Sequence, residues 1–170
     1  MEFKVPTTLE TDRLILRQFQ EPDWQALHGY YGDELATTFT MGRALSEGES
    51  WRAMSSMVGH WYLRGYGPYA MVEKETNQLI GITGLWYPND WPEPEIKWAL
   101  VSDYTGQGFA SEGARAIQKM VKQHLSETPL ISFIHSDNQP SRQLAEAIGC
   151  HLEKEVPFRG AVWCIYRHPQ

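Results

Sequence analysis

The sequence predicts a mixed α/β fold organised as one domain. Three observations support this prediction: strand-like and helix-like patterns alternate along the chain, no linker or internal repeat divides it, and its 170 residues are 42% hydrophobic. A chain of this size can bury one sizeable core and is short for two ordinary domains. We expect a single domain over residues 1–170, with about seven strands in a mixed sheet flanked by about four helices.

The N-terminal half is predicted to contain one strand, two helices and a hairpin. Residues 13–17 alternate charged and apolar side chains, as a half-buried strand does. A helix is expected from Glu21 to about Tyr31, and a second from Ser46 to about Arg64, where Ser46 and Glu49 have the spacing of a capping box. Residues 69–73 and 79–86 then predict two strands joined by a polar turn. The proline-rich segment 87–94 is expected to form a loop.

The C-terminal half is predicted to alternate strands with helices. A strand over 95–101 leads through a glycine-rich turn into a helix over 110–127, in which apolar residues recur at helical spacing. A strand over 130–134 and a short helix over 140–148 follow, and Gly149 suits the end of that helix. Strands over 152–157 and 161–166 are expected to form a hairpin across Arg159-Gly160.

Composition and charge exclude several classes of function. The net charge of −6 and the pI near 5.5 disfavour a nucleic-acid-binding protein and weakly favour a cationic substrate. No apolar stretch is long enough for a membrane span, so we expect a soluble, cytoplasmic protein. Cys150 and Cys164 are too far apart for a metal pair and are expected to be packed thiols, although a cross-strand disulfide stays open. No metal site is expected.

The glycine-rich turn at Gly106 and Gly108 is the most informative segment. Glycines between a strand and a helix allow several backbone N–H groups to turn towards one anion, and the helix N-terminus adds a partial positive charge. The alternative is that the glycines only permit a tight turn. Neither a Walker loop nor a dinucleotide-binding fingerprint fits, because the sixth position of the motif is Ser111.

The segment Thr105-Gly106-Gln107-Gly108-Phe109-Ala110 resembles the acetyl-coenzyme A loop of the GNAT acetyltransferase superfamily, Gln/Arg-x-x-Gly-x-Gly/Ala. Thr105 departs from the pattern, which removes a side-chain contact. Residues 9–17 with Asp23 resemble the opening segment of the branch that includes the ribosomal-protein N-terminal acetyltransferases. Residues 135–142 with 147–150 resemble that branch's N-x-x-S and L-G-F segments, with Cys150 in place of the usual aromatic residue.

The resemblance implies a GNAT fold with a mostly antiparallel sheet, acetyl-CoA as cosubstrate, and a fourth strand that separates from the fifth. It implies the following cofactor-binding residues: Trp98, Ala99, Leu100, Val101, Gly106, Gln107, Gly108, Phe109, Ala110, Ser111, Asn138 and Ser141. In the family, backbone groups of the fourth strand bind the pantetheine arm and polarise the thioester carbonyl, while the loop amides hold the pyrophosphate.

Three residues are predicted to be catalytic. The resemblance implies that Ser141 can protonate the departing thiolate and that Asn138 approaches the cofactor arm. Glu95 stands where the family has a glutamate and is the first candidate for the base that deprotonates the amine, directly or through water. Each has a structural alternative. Asn138 suits a helix cap, Ser141 the first turn of that helix, and Glu95 a solvated strand end.

The predicted function is direct acetyl transfer from acetyl-CoA to a primary amine. The acceptor is either the α-amine of a protein N-terminus or a small-molecule amine, and the protein is a monomer or a homodimer. The alternative is a non-catalytic acyl-CoA-binding module that keeps the fold. Lys97 and Trp98 stand where the branch it resembles often has Gly and Tyr, next to the acceptor site that the resemblance implies. The aromatic residues between Trp51 and Trp91 either line that site or fill the core.

Overall fold

One sheet runs through the molecule, in a computed structural model that describes residues 2–170. Its strands are β1 (Thr8–Glu10), β2 (Leu14–Arg17), β3 (Pro68–Glu73), β4 (Gln78–Trp86), β5 (Glu95–Leu100), β6 (Ile131–His135), β7 (His151–Phe158) and β8 (Ala161–Arg167). The spatial order is β1-β2-β3-β4-β5-β6-β8-β7, and each neighbouring pair is antiparallel except β5 and β6. The prediction of a mixed, mostly antiparallel sheet is confirmed.

Five α-helices cover the two faces of the sheet across residues 2–170. They are α1 (Trp24–Tyr31), α2 (Glu34–Thr37), α3 (Glu47–Arg64), α4 (Phe109–His124) and α5 (Gln139–Ala147). The predicted capping box at Ser46 and Glu49 is present at the start of α3, and Gly65 ends that helix in the left-handed conformation, with φ 81°. Residues 21–23 form a 3₁₀ turn before α1 rather than its first residues.

Two elements were missed from the sequence because they are short. β1 has three residues and α2 has four, so neither spans a full hydrophobic repeat. β1 pairs with β2 at the edge of the sheet, and Asp33 caps α2 by accepting hydrogen bonds from Leu35 and Ala36.

The core lies on both faces of the sheet because alternate residues of the strands point in opposite directions. On β3, Met71 packs with α4 residues such as Ile117, whereas Ala70 packs with Leu27 of α1 and Met57 of α3. Helices α4 and α5 therefore cover one face, and α1 and α3 cover the other. The site described next lies where β5 and β6 separate between these two layers.

Candidate active site

The loop between β5 and α4 has the geometry of an anion cradle. Gly106 and Gly108 have φ angles of 76° and 82°, a conformation that residues with a Cβ atom rarely adopt. Gly108 is the N-cap of α4, and the first intrahelical bond joins the Glu112 N–H to the Gly108 C=O at 3.0 Å. The amides that precede this bond lack intrahelical acceptors and lie at the positive end of the helix dipole: Phe109, Ala110 and Ser111. Such a terminus can hold a pyrophosphate.

Two residues from the N-terminal segment brace this loop. The Arg13 Nε donates to Glu112 Oε1 at 2.8 Å, and its Nη1 donates to the Gln107 C=O at 2.9 Å. The guanidinium also lies 4.1 Å from the centre of the Phe109 ring. Burial alone would raise the pKa of Glu112, but hydrogen bonds from Thr11 and Arg13 bring it below its ordinary value. The carboxylate therefore stays ionised and anchors the loop.

Strands β5 and β6 form a fork that opens after one paired position. Glu95 lies opposite Ile131, and the Ile131 N–H donates to the Pro94 C=O at 3.1 Å. Beyond this pair, side chains take the places of backbone partners. The Phe133 N–H donates to Glu95 Oε2 at 2.9 Å, and the Ser132 hydroxyl donates to the Ile96 C=O at 2.7 Å. The remaining residues of β5 thus have an edge without a neighbouring strand.

The open edge of β5 presents the backbone of Trp98 and Leu100. The Val101 N–H donates to the Ile80 C=O on β4 at 2.8 Å. Because successive residues of a strand turn their N–H and C=O groups to opposite sides, the Ala99 backbone also faces β4, whereas Trp98 and Leu100 face the gap. Of the four residues predicted to bind the pantetheine arm, Trp98 and Leu100 thus have backbone groups that face the gap, whereas the backbone groups of Ala99 and Val101 are turned towards β4.

Asn138 and Ser141 lie at the start of α5, on the far side of the gap. Asn138 is the N-cap of α5, and its Oδ1 accepts from the Ser141 N–H at 3.4 Å. The cap role considered from the sequence is therefore real. The Ser141 hydroxyl accepts a hydrogen bond from the Trp98 indole Nε1 at 3.3 Å. Because the indole only donates, the Ser141 O–H is free to donate to a ligand.

Glu95 is buried at the fork, with 6% of its surface exposed. Its carboxylate accepts from the Trp91 Nε1 and from the Phe133 N–H, both at 2.9 Å. Burial raises the pKa of Glu95 to about 7, against the opposing effects of these donors and of Lys97. The solvated strand end considered from the sequence is thus wrong, and the carboxyl group titrates in the range suited to a general base.

A cavity of about 340 Å³ passes through the fork and joins the predicted catalytic residues Glu95, Asn138 and Ser141. Its wall on the side of α1 includes Tyr30 and Tyr31, and aromatic side chains form much of the remaining lining: Phe39, Trp86, Trp91, Trp98, Phe133 and Trp163. Among the aromatic residues singled out from the sequence, Trp86 and Trp91 line the cavity, whereas Trp61 and Tyr69 are core residues.

The sequence did not reveal a chain of hydrogen bonds that connects α4 to β6 at the fork. The Gln118 Nε2 of α4 donates to His168 Nδ1 at 2.9 Å, and His168 Nε2 lies 2.9 Å from the Ser132 Oγ. Since the Ser132 hydroxyl donates to Ile96, it accepts from a His168 that carries its proton on Nε2. Burial lowers the pKa of His168 to about 4, so the ring is neutral. Each of these residues bonds to a partner that is 36 or more positions away in the sequence. None of them belongs to a motif.

The comparisons with known proteins agree with this geometry. The family model of the GNAT acetyltransferase domain matches residues 13–151. The chain belongs to the GNAT acetyltransferase family. It is therefore an N-acetyltransferase, as the resemblance predicted.

Individual relatives show the same relationship along nearly the whole chain. The sequence is 24% identical to the uncharacterised N-acetyltransferase YnaD of Bacillus subtilis, over 93% of both chains. The crystal structure of an acetyltransferase from Agrobacterium tumefaciens superposes with a TM-score of 0.86 at 27% identity, covering 100% of this chain and 98% of that one. RimL, a ribosomal L7/L12 α-N-protein acetyltransferase in complex with coenzyme A, has the same fold, with a TM-score of 0.73 at 19% identity over 96% of each chain.

Two further findings concern other kinds of site. Between Glu2 and Gln170, no helix combines the length and the apolar character needed to cross a bilayer. Within the same range, no three His, Cys, Asp or Glu side chains converge as metal ligands would. Cys150 and Cys164 are both buried free thiols, and burial raises the pKa of Cys150 to about 12.

Proposed function

We propose that this acetyltransferase moves an acetyl group from acetyl-CoA to a primary amine by direct attack on the thioester. The observation that carries the proposal is the continuity of the open β5 edge with the glycine-rich loop. The free backbone of Trp98 and Leu100 leads along the strand to the amides of Phe109, Ala110 and Ser111 at the end of α4. A long thioester with a diphosphate at one end fits this arrangement.

The chain's own groups supply the proton transfers of the reaction. The amine attacks the carbonyl carbon through its nitrogen lone pair, and the ammonium proton passes to the Glu95 carboxylate, directly or through water. When the C–S bond breaks, the thiolate takes a proton from the Ser141 hydroxyl, which regains one from solvent water, and Glu95 then returns its proton to the solvent. The pKa of about 7 at Glu95 and the free O–H of Ser141 support these assignments. The Trp98 indole is a positioning group that fixes the Ser141 oxygen.

Two substitutions test cofactor binding and chemistry separately. In Gly108→Val, the side chain excludes the φ of 82° and turns the adjacent amides away from the anion. We expect coenzyme A affinity, measured by calorimetry, to fall at least about tenfold through loss of charge-assisted hydrogen bonds. Gly160→Val is the matched control, because Gly160 has a φ of 75° in the β7–β8 turn. A Cβ at Gly160 meets nothing within 4 Å, and one at Gly108 meets only the Arg13 Nη2 at 3.4 Å. Equal affinities of the two variants would remove the loop from the cofactor site.

Ser141→Ala tests whether the protein is a catalyst rather than a binding module. Removing the proton donor should lower the rate of thiol release about 100-fold while coenzyme A affinity stays within about twofold. The Asn138 cap bonds to the backbone N–H of residue 141 and survives the change. Tight coenzyme A binding by the wild type without thiol release for any amine in a broad panel would instead favour the non-catalytic module.

A further inference from the structure

Lys97 contributes an amine group to the wall of the cavity. It follows Glu95 by two residues on β5, so both side chains emerge from the same face of the sheet. The Lys97 side chain is half-buried and its Nζ lies 4.7 Å from the centre of the Trp86 ring. The ammonium therefore contacts an aromatic face, which attracts a cation without filling its three hydrogen-bond positions.

The cavity offers donors that lack partners and acceptors that already have them. Within residues 2–170, Lys97 forms no salt bridge, and no side-chain hydrogen bond from its ammonium is present. Trp163 Nε1, also in the wall, is a buried donor without a partner in that range. Both oxygens of Glu95, by contrast, already accept hydrogen bonds. A complementary ligand must bring acceptor oxygens, preferably charged ones.

From this arrangement, the geometry points to an acceptor that is an amino acid with an apolar or aromatic side chain, whose carboxylate pairs with Lys97 while its amine faces Glu95. This inference rests on the proposed function and names the substrate class of the same site. Glu95 and Lys97 have side chains of opposite charge type on one face of β5. An amino acid likewise carries opposite charges on its amine and its carboxylate. The aromatic walls suit an apolar side chain, and about 340 Å³ suits a small molecule.

The same charges disfavour the other acceptor classes. A polyamine or aminoglycoside would bring further positive charges beside Lys97, at a site where burial already lowers the pKa of that lysine. A peptide N-terminus carries an amide where the amino acid has its carboxylate, so the Lys97 ammonium would lack an anionic partner. The acidic composition that favoured a cationic substrate therefore does not describe the interior of this cavity.

The test compares acceptors that differ only at the carboxylate. Thiol release from acetyl-CoA is measured with phenylalanine, phenylalaninamide and phenethylamine, and with tryptophan, tryptophanamide and tryptamine. We expect kcat/KM for the amino acids to exceed that for the amides and amines by about 10- to 100-fold, as a hydrogen-bonded charge pair implies. Equal or faster turnover of the amides or the amines would overturn the inference and leave the proposed function standing.

Substitutions at Lys97 show whether the preference originates there. Lys97→Met should bring the ratio of kcat/KM for the amino acids to kcat/KM for the matched amides and amines close to one, and Lys97→Arg should restore part of that ratio. Lys119→Met is the control, because Lys119 is exposed on α4 and away from the cavity. A preference for amino acids that persists unchanged in Lys97→Met would assign carboxylate recognition to another group and contradict the inference.

A binding measurement keeps the two proposals apart. 3-Phenylpropionate, which has the carboxylate but no amine, should quench tryptophan fluorescence on binding, and Lys97→Met should weaken this binding about 10-fold or more. If no amine is turned over, the proposed function fails, whereas Lys97-dependent binding of this carboxylate would still support the ligand class. Absence of binding to the wild type, or binding that Lys97→Met leaves unchanged, would overturn it.

Discussion

At the scale of single residues, Glu95 combines two roles that the sequence could not separate. Its carboxylate accepts the Phe133 N–H at the point where β6 leaves β5, and it lines the cavity between the strands. A residue that holds the fork open is thereby also buried, and burial raises its pKa to about 7. The desolvation that makes this glutamate a suitable base is therefore a consequence of its structural position.

This combination predicts a pH-dependent cost of Glu95 to stability. Its pKa is about 7 in the folded protein and 4.5 in a model peptide, so the folded state holds the proton more tightly. Stability from this group is present below pH 4.5 and is lost as the pH rises to about 7. As the pH rises from 4.5 to 8, the unfolding free energy of wild type should therefore fall by roughly 3 kcal/mol relative to that of Glu95→Gln.

Urea unfolding of both proteins across this pH range measures how the difference between their unfolding free energies changes. The hydrogen bonds that glutamine fails to form add the same amount to this difference at every pH, so they do not affect its change. The rate of thiol release should rise through pH 7 in the wild type, and Glu95→Gln should lose that rise. A difference in unfolding free energy that does not change with pH would place the Glu95 pKa near its ordinary value and remove its suitability as a base.

At the scale of elements, the fork depends on side chains that replace ladder hydrogen bonds. Ser132 on β6 donates to the Ile96 C=O and accepts from His168, which in turn is held by Gln118 of α4. Helix α4, which begins at the glycine-rich loop, is thus tied to the edge of β5 that leads to this loop. Where β5 and β6 separate, side chains therefore provide the hydrogen bonds that backbone pairing would otherwise provide.

Ser132→Ala should disturb this arrangement measurably. It leaves the Ile96 C=O and the His168 Nε2–H without their partner in a buried site, at a cost of about 1–3 kcal/mol in unfolding free energy. Coenzyme A affinity should also fall, since the open edge of β5 loses its support. Ser55→Ala provides the comparison: the Ser55 hydroxyl bonds only to the backbone of its own helix, at Trp51, so little change is expected. Equal losses of unfolding free energy and of coenzyme A affinity in both variants would show that the Ser132 hydrogen bonds do not support the fork.

Across the whole fold, the sequence predicted features that lie within one continuous segment and missed contacts between residues that are far apart in the chain. The strand, loop and helix around Gly106 and Gly108 were recognisable because glycine spacing and hydrophobic period lie within one continuous segment. The partnership of Ser132 with Ile96 spans 36 residues, and no pattern within one segment records it. Lys97 was noticed as unusual, but its position over Trp86 depends on the register of β4 with β5.

Arg13 shows how far such a contact can reach. It is 99 residues from Glu112, and the sequence indicated it only as part of a strand and of the segment that resembles the family's opening residues. In the structure it lies just before β2 and brings a guanidinium to the loop whose usual glutamine or arginine is replaced by Thr105. The N-terminal segment thus supplies charge and support that the loop's own sequence lacks.

We therefore predict that Arg13→Met weakens coenzyme A binding about three- to tenfold, and more at low salt, because a cation near the diphosphate is lost. Its pair with Glu112 is partly exposed, at 44% for Arg13, so stability should fall by less than about 1 kcal/mol. Arg17→Met is the matched control, since Arg17 pairs with Asp23 at the other end of β2 and should lose stability without losing affinity. Calorimetry at two salt concentrations distinguishes the roles: if Arg13 only braces the fold, the two variants will bind coenzyme A equally well and with the same salt dependence.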